Sequence, residues 1–299
     1  MPNYPPRLDS SFKESVTIVI KTFMRYQCLE LLLDSIQIFF PGTQVIVADD
    51  TPEEQFERIN TYKYPFVKQH KMPPETGFFP GRALAISQVS TEYFISMDDD
   101  FTLTAYTKLD EFLKVIDESG YDMIGGPVET PNMATLKQNP WADYIDYDRF
   151  QITRSPEGFC YFRGKVEIAP LPNFPNCQVK DIIKNYFIAR TSTVGRIRMD
   201  PHITRSGHKE FFVDALGELR IARLIFARLI FIYFFSSCDI APVFHNPRMC
   251  SGRSEDYKKF RYIEAGRDEA ARIFRLQHDK LWYHRSYLRC YQEKFPSTQ

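Results

Sequence analysis

Tyr93-Phe94-Ile95-Ser96-Met97-Asp98-Asp99-Asp100, residues 93–100, is an apolar run of strand length that ends in three consecutive carboxylates. A run this apolar and this short reads as a buried strand. Ligands of open α/β sheets bind outside the carboxyl ends of their strands. The first question is therefore whether the neighbouring sequence builds such a sheet.

It does. Val16-Thr17-Ile18-Val19-Ile20 is a second β-branched strand run, and Arg25 to Phe40 carries Leu29, Leu32, Leu33, Ile36 and Phe40 at helical spacing until Pro41-Gly42 ends it. Gln44-Val45-Ile46-Val47-Ala48 is a strand finishing at Asp49-Asp50, and Phe66 to His70 a third short one. A Gly/Pro-punctuated loop, Pro73 to Gly81, feeds a helix predicted over Arg82 to Val89. Beyond residue 100, Leu109, Phe112, Leu113 and Ile116 mark a helix and Met123 to Gly126 a strand. This β-α-β-α-β order predicts an α/β fold with a mostly parallel central sheet and right-handed crossovers. Asp49, Asp50 and the triple Asp all fall at its carboxyl edge.

The second half is less regular. Tyr186-Phe187-Ile188-Ala189 reads as a strand and Tyr257 to Leu281 as a charged helix. Between them Ala222 to Phe226 is repeated perfectly as Ala227 to Phe231. Ten residues are too few for a solenoid, so residues 223–236 are expected to be an insertion. The domain reading is a disordered polar segment over residues 1–14, one domain over 15–290 and a tail over 291–299.

The 38 basic and 38 acidic residues cancel, leaving no broad basic field for nucleic acid or anionic lipid. The prolines are spread over many loops, which favours one compact unit. None of the six cysteines forms a CxxC pair, which argues against a structural zinc site. Cys28 reads as a core residue; the others fit either disulfides of a secretory lumen or inert buried thiols. Residues 1–15 lack the features of a signal peptide. The apolar stretch Leu224 to Phe235, interrupted by Arg228, is too short for a membrane span.

Three adjacent carboxylates repel one another, and a hard divalent cation relieves that repulsion. Alternation along a strand would let Asp98 and Asp100 face one way and Asp99 another, so an Asp-x-Asp pair could hold Mn²⁺ or Mg²⁺ and through it a diphosphate. The opposing reading is an acidic solvated turn. Asp49-Asp50 reads either as an acceptor for a uracil or ribose or as a helix N-cap or Asx turn before Thr51-Pro52. Gly77 and Gly81-Arg82 read as the opening of a helix whose N–H groups, dipole and guanidinium favour a diphosphate. Thr22 and Arg25 follow the first strand and could line a nucleotide pocket; Arg25 reads equally as a surface residue. Glu210 and Asp214, around Phe211 and Phe212, are candidate general bases in either extended or helical backbone. His245, after Ile240 to Phe244, reads as a third metal ligand or as a structural histidine.

Several of these segments, in this order, resemble the ganglioside-synthase type of β-1,4-N-acetylgalactosaminyltransferase. The stretches are Val16 to Tyr26, Val45 to Asp50, Gly81 to Val89, Met97 to Phe101, Asn173 to Cys177, Asn185 to Thr191 and His208 to Asp214. The resemblance spans roughly residues 14–290. It implies a GT-A fold, a UDP-GalNAc donor, a glycan acceptor, Mn²⁺ and transfer with inversion. Asp98 would contact ribose or metal, Asp100 and His245 would bind metal, and Arg25, Asp49 and Arg82 would line the nucleotide pocket, with Asp50, Gly81 and Asp99 beside them. Asp214 would be the base, with Glu210 second. A Cys177–Cys238 disulfide, a Golgi lumen address with an amino-terminal anchor missing from this chain, and a homodimer are further expectations. The chain departs from the family at Ala83, where the family has Asn, at Ala215, where it has Gly, and across residues 223–236. Those departures define the alternative, an inactive relative that binds nucleotide or carbohydrate; as the chain stands, without its anchor, a cytoplasmic address is the other expectation.

Overall fold

The computed structural model describes residues 10–129, 149–155, 158–164, 170–171, 173–204, 208–224, 242–245 and 257. A short helix α1 (Ser10–Ser15) leads into β1 (Val16–Thr22), which is buried along its whole length. Alternation sends Val16, Ile18 and Ile20 into one core and Val19 into a second core on the opposite face. Helix α2 (Tyr26–Phe39) covers the first face with Leu29, Leu32, Leu33 and Ile36, each worth about 2 kcal/mol of burial. β2 (Gln44–Asp49) and β3 (Val67–Lys71) continue outward, and α3 (Phe78–Ser87) packs Phe79, Ala85 and Ile86 into the second face before β4 (Tyr93–Asp98).

These four strands are parallel in the order β3-β2-β1-β4. The chain moves away from β1 through β2 to β3, then α3 returns it to β4 on the other side of β1. That reversal is a topological switch point, and Thr22 and Asp98 to Asp100 lie at the carboxyl ends of the two strands, β1 and β4, that flank it.

The chain continues through β5 (Phe101–Thr102), α4 (Leu109–Ser119), β6 (Met123–Gly125), β7 (Val128–Glu129) and the hairpin of β8 (Arg149–Ser155) with β9 (Gly158–Gly164). Then come β10 (Pro170–Leu171), β11 (Phe174–Val179), β12 (Phe187–Arg190), α5 (Thr191–Ile197), α6 (His208–Asp214), β13 (Ile221–Leu224) and β14 (Val243–His245). The main sheet has nine strands in the order β10-β11-β13-β6-β12-β4-β1-β2-β3. β12 runs antiparallel between β4 and β6, and β10, β11 and β13 join antiparallel to each other, so the sheet is mixed around its parallel half. A second sheet, β5-β14-β7, is too short for any hydrophobic period to reveal.

Four expectations change. Residues 10–14, expected to be disordered, belong to α1, because Phe12 packs at 1% exposure into the main core. The helix expected from Arg82 begins at Phe78, because Gly77 at φ 109° makes the break and Pro80 is tolerated in a first turn. Cys177 is a free, buried thiol facing the main core, so it does not pair with Cys238, whereas the core residue Cys28 is disulfide-bonded. Arg223 and Leu224, the start of the expected insertion, belong to β13 and pair with β11; residues 225–236 and the helix expected after Tyr257 lie outside the described residues. Among the described residues no helix is long and apolar enough to cross a membrane.

Candidate active site

The turn after β1 determines the site. Met24 takes a left-handed conformation at φ 56°, an uncommon one for a residue with a side chain, and its N–H donates to Thr51 Oγ1 at 2.9 Å. This turn makes Arg25 the residue before α2, where its carbonyl accepts from Cys28 and Leu29. The Arg25 guanidinium reaches the end of β4. It pairs with Asp99 Oδ1 and donates to Asp100 Oδ2 at 2.8 Å.

The three carboxylates take three environments. Asp99 is fully buried and its Oδ2 accepts from Thr22 Oγ1 at 2.8 Å, so Thr22 and Asp99 hold each other and Arg25. Asp98, the most exposed, pairs with the buried guanidinium of Arg82, which also engages Ser96 Oγ; Asn185 Nδ2 lies 3.5 Å from its other oxygen. Asp100 Oδ2 accepts from Arg25 and lies 3.2 Å from His245 Nε2. Its Oδ1 is buried and has no hydrogen-bond partner. His245 reaches Asp100 because β14 pairs with β5, placing His245 opposite Phe101.

Burial dominates the Asp99 carboxyl and holds its pKa above the usual range, against the opposing pull of Arg25 and with Asp100 adding to the rise. Burial also presses on Asp100, but His245 and Arg25 outweigh it and hold that carboxyl below its ordinary value. Burial lowers the Arg82 guanidinium against the attraction of Asp98. For Arg25 burial acts the same way, yet Asp99 and then Asp100 prevail and its pKa rises.

Asp49 forms the Asx turn, with Thr51 N–H on Oδ1 at 3.0 Å, while Tyr26 Oη and Gln69 Nε2 donate to its Oδ2 at 2.7 and 2.9 Å. Asp50 pairs with Lys21 and accepts from Gly77 N–H at 2.7 Å. That amide, expected to face a diphosphate, is already bonded. Gly81 sits in the first turns of α3 because the Lys21 stem runs beneath it: a Cβ there would lie 2.5 Å from Lys21 Cγ. Arg82, expected to line the nucleotide pocket, is 2% exposed and committed to Asp98. Glu210 and Asp214 lie one turn apart on α6, whose Phe211 and Phe212 enter the second core; Glu210 is buried and Asp214 partly exposed.

Sequence reading missed Lys21, Ser96 and Asn185. Lys21 could have been found, since a lysine inside a fully buried strand needs a carboxylate; Ser96 and Asn185 carried no comparable signal. Among the described residues no three His, Cys, Asp or Glu side chains gather into a metal cluster. Asp100 and His245 converge and Asp98 stands apart on Arg82. A carboxylate oxygen beside an imidazole nitrogen suits Mn²⁺ better than the harder, oxygen-preferring Mg²⁺ when substrate phosphates and water complete the coordination, and the partnerless Oδ1 of Asp100 fits that use.

Residues 17–166 match the family described as Glycosyl transferase family 2. The chain is 38% identical over 212 residues to human beta-1,4 N-acetylgalactosaminyltransferase 1, covering 69% of this chain and 37% of that protein. It is 34% identical over 218 residues to mouse beta-1,4 N-acetylgalactosaminyltransferase 2, covering 73% and 39%. The chain thus spans well under half the length of these relatives. Among solved structures, residues 1–349 of S. aureus TarS superpose with a TM-score of 0.52 at 17% identity, covering 85% of this chain and 65% of that one. GalNAc-T7, solved with UDP, GalNAc and Mn²⁺, gives 0.55 at 11% identity, covering 89% and 51%. The fold is that of GT-A glycosyltransferases, and the chain belongs to glycosyl transferase family 2.

Proposed function

We propose that this chain is the donor-binding, catalytic part of a glycosyltransferase that moves N-acetylgalactosamine from UDP-GalNAc to a hydroxyl of a glycan, with inversion at the anomeric carbon. The names of the relatives, at 34–38% identity, support the sugar. The observation that carries the chemistry is the Asp100 Oδ1, buried without a hydrogen-bond partner beside His245 at the point where the strand order reverses.

Asp100 and His245 would hold a divalent cation, which supplies positive charge where the departing diphosphate becomes negative. Arg82 fixes the partly exposed Asp98 at the end of β4, and Thr22 with Asp99 fixes Arg25. Asp214, the partly exposed carboxylate of α6, suits the general base better than buried Glu210, because a base must reach the acceptor hydroxyl. The Cys28 disulfide supports a secretory, lumenal setting, since such bonds persist in oxidising compartments. Thiol labelling that finds Cys28 reduced in the native protein would count against that setting.

The test is calorimetry with UDP and Mn²⁺, followed by a screen of UDP-sugars with glycan acceptors. Wild type should bind UDP in a Mn²⁺-dependent way, and Asp100→Ala should lose that dependence. Retained affinity in the variant overturns the site assignment; tight UDP binding with no turnover on any donor overturns the enzyme reading.

A further inference from the structure

Three adjacent carboxylates need counter-charge, and the fold already contains most of it. Arg82 answers Asp98, and Arg25 lies across Asp99 and Asp100, so two guanidinium groups of the chain itself face the three carboxylates. Arg25 cannot easily swing away. It is placed by the left-handed turn at Met24, paired with fully buried Asp99, and stacked 5.7 Å from the Tyr257 ring. It occupies only one oxygen of Asp100. The other, Oδ1, stays buried and without a hydrogen bond.

We propose that Arg25 is a resident counter-cation that keeps the divalent-cation affinity of the Asp100–His245 site low until a diphosphate binds. The proposal rests on the cation reading given above. A fixed positive charge on one oxygen of Asp100 repels a dication approaching the other. A diphosphate brings negative charge that cancels this repulsion, so nucleotide and cation each strengthen the other's binding, by the same factor. Asp99, in this account, holds Arg25 rather than a ligand. Arg25 is a positioning residue for the cation and sets when it binds.

The test titrates Mn²⁺ alone, without nucleotide, into the full chain, and follows free Mn²⁺ by electron paramagnetic resonance. Arg25→Met should bind Mn²⁺ about tenfold tighter or more than wild type. Arg25→Lys keeps the charge and should stay within about threefold of wild type. Should Arg25→Met fail to fold, Arg25→Gln carries the test, because its amide removes the charge and can still donate a hydrogen bond to buried Asp99. That variant should also bind Mn²⁺ about tenfold tighter. A merely structural arginine would lower the melting temperature on removal without tightening Mn²⁺, and unchanged or weakened Mn²⁺ affinity in both neutral variants overturns the proposal. Parallel titrations with UDP separate the failures. If wild type shows Mn²⁺-dependent UDP binding while the variants do not tighten Mn²⁺, only this proposal falls. If no chain binds Mn²⁺ with or without UDP, the cation reading falls with it.

Discussion

A methyl group at Gly81 would meet the Lys21 stem, and that stem has little room to yield. Lys21 is 6% exposed and its ammonium pairs with Asp50, which also accepts from Gly77 N–H, so β1, β2 and the start of α3 share one clamp. Gly81→Ala is therefore expected to destabilise the fold by about 1–3 kcal/mol, the usual cost of overpacking. Urea unfolding measures it, and an unchanged midpoint would show the clamp to be soft. Asp214 poses the opposite question, since its value lies in protonation rather than packing. Asp214→Asn keeps the shape and removes the base. We expect turnover to fall about a hundredfold or more, with donor affinity within a few-fold of wild type. A loss confined to donor affinity would remove Asp214 from the chemistry and turn attention to Glu210.

His245 is held beside Asp100 by an element only three residues long. β14 lies between β5 and β7, and just before it the Pro242 carbonyl accepts from Thr107 Oγ1 at 2.5 Å in a buried setting. Thr107→Val keeps the shape but leaves that carbonyl without its donor and Thr104 N–H without the Oγ1 that accepts it at 2.9 Å, each at a cost of about 1–3 kcal/mol. Thermal melting should record the loss. Mn²⁺-dependent UDP binding should weaken alongside it, although no site residue has changed; a melting loss with unchanged UDP binding would show that β14 does not need this anchor to present His245. Such non-local links are what the sequence hides. Apolar runs and helical spacing made β1, α2, β2, β3 and β4 legible, together with the carboxyl edge where the candidate site lies. The Asp100–His245 contact joins residues 145 apart through a strand pair too short for a period to appear. Charge patterns likewise identified Arg25, Arg82 and Asp50 as notable without revealing which protein groups they bond, whereas the Asx turn that Asp49 forms is one the sequence itself suggests. The start of α3 was misplaced because Pro80 and Gly81 look like breakers, while Gly77, with the left-handed backbone, makes the actual break.

At the scale of the whole molecule, two buried titratable groups, Cys177 and Lys184, respond to alkali in opposite senses. Cys177, on β11, is 1% exposed, and burial pushes its thiol from the ordinary 9.0 up to about 12. Lys184, before β12, is pulled by burial from 10.5 down to about 8. Below pH 9 the thiol is protonated in folded and unfolded chains alike and contributes no slope. Above pH 9 the unfolded chain releases the proton and the folded chain keeps it, so stability falls with pH, by at most about 1.4 kcal/mol per unit, until the folded thiol also titrates near 12. Lys184 acts the other way: between about 8 and 10.5 the unfolded chain binds more protons, and stability rises. Wild-type melting temperatures alone would mix the two. Cys177→Ala separates them, because both chains retain Lys184 and the same tyrosines. The variant should be less stable than wild type at pH 8 through lost packing, and the gap should narrow steadily from pH 9 to pH 10.5. A gap that stays constant over that range would mean that the thiol is not insulated from water in the folded sheet, and that β11 is not packed into the main core as the structure has it.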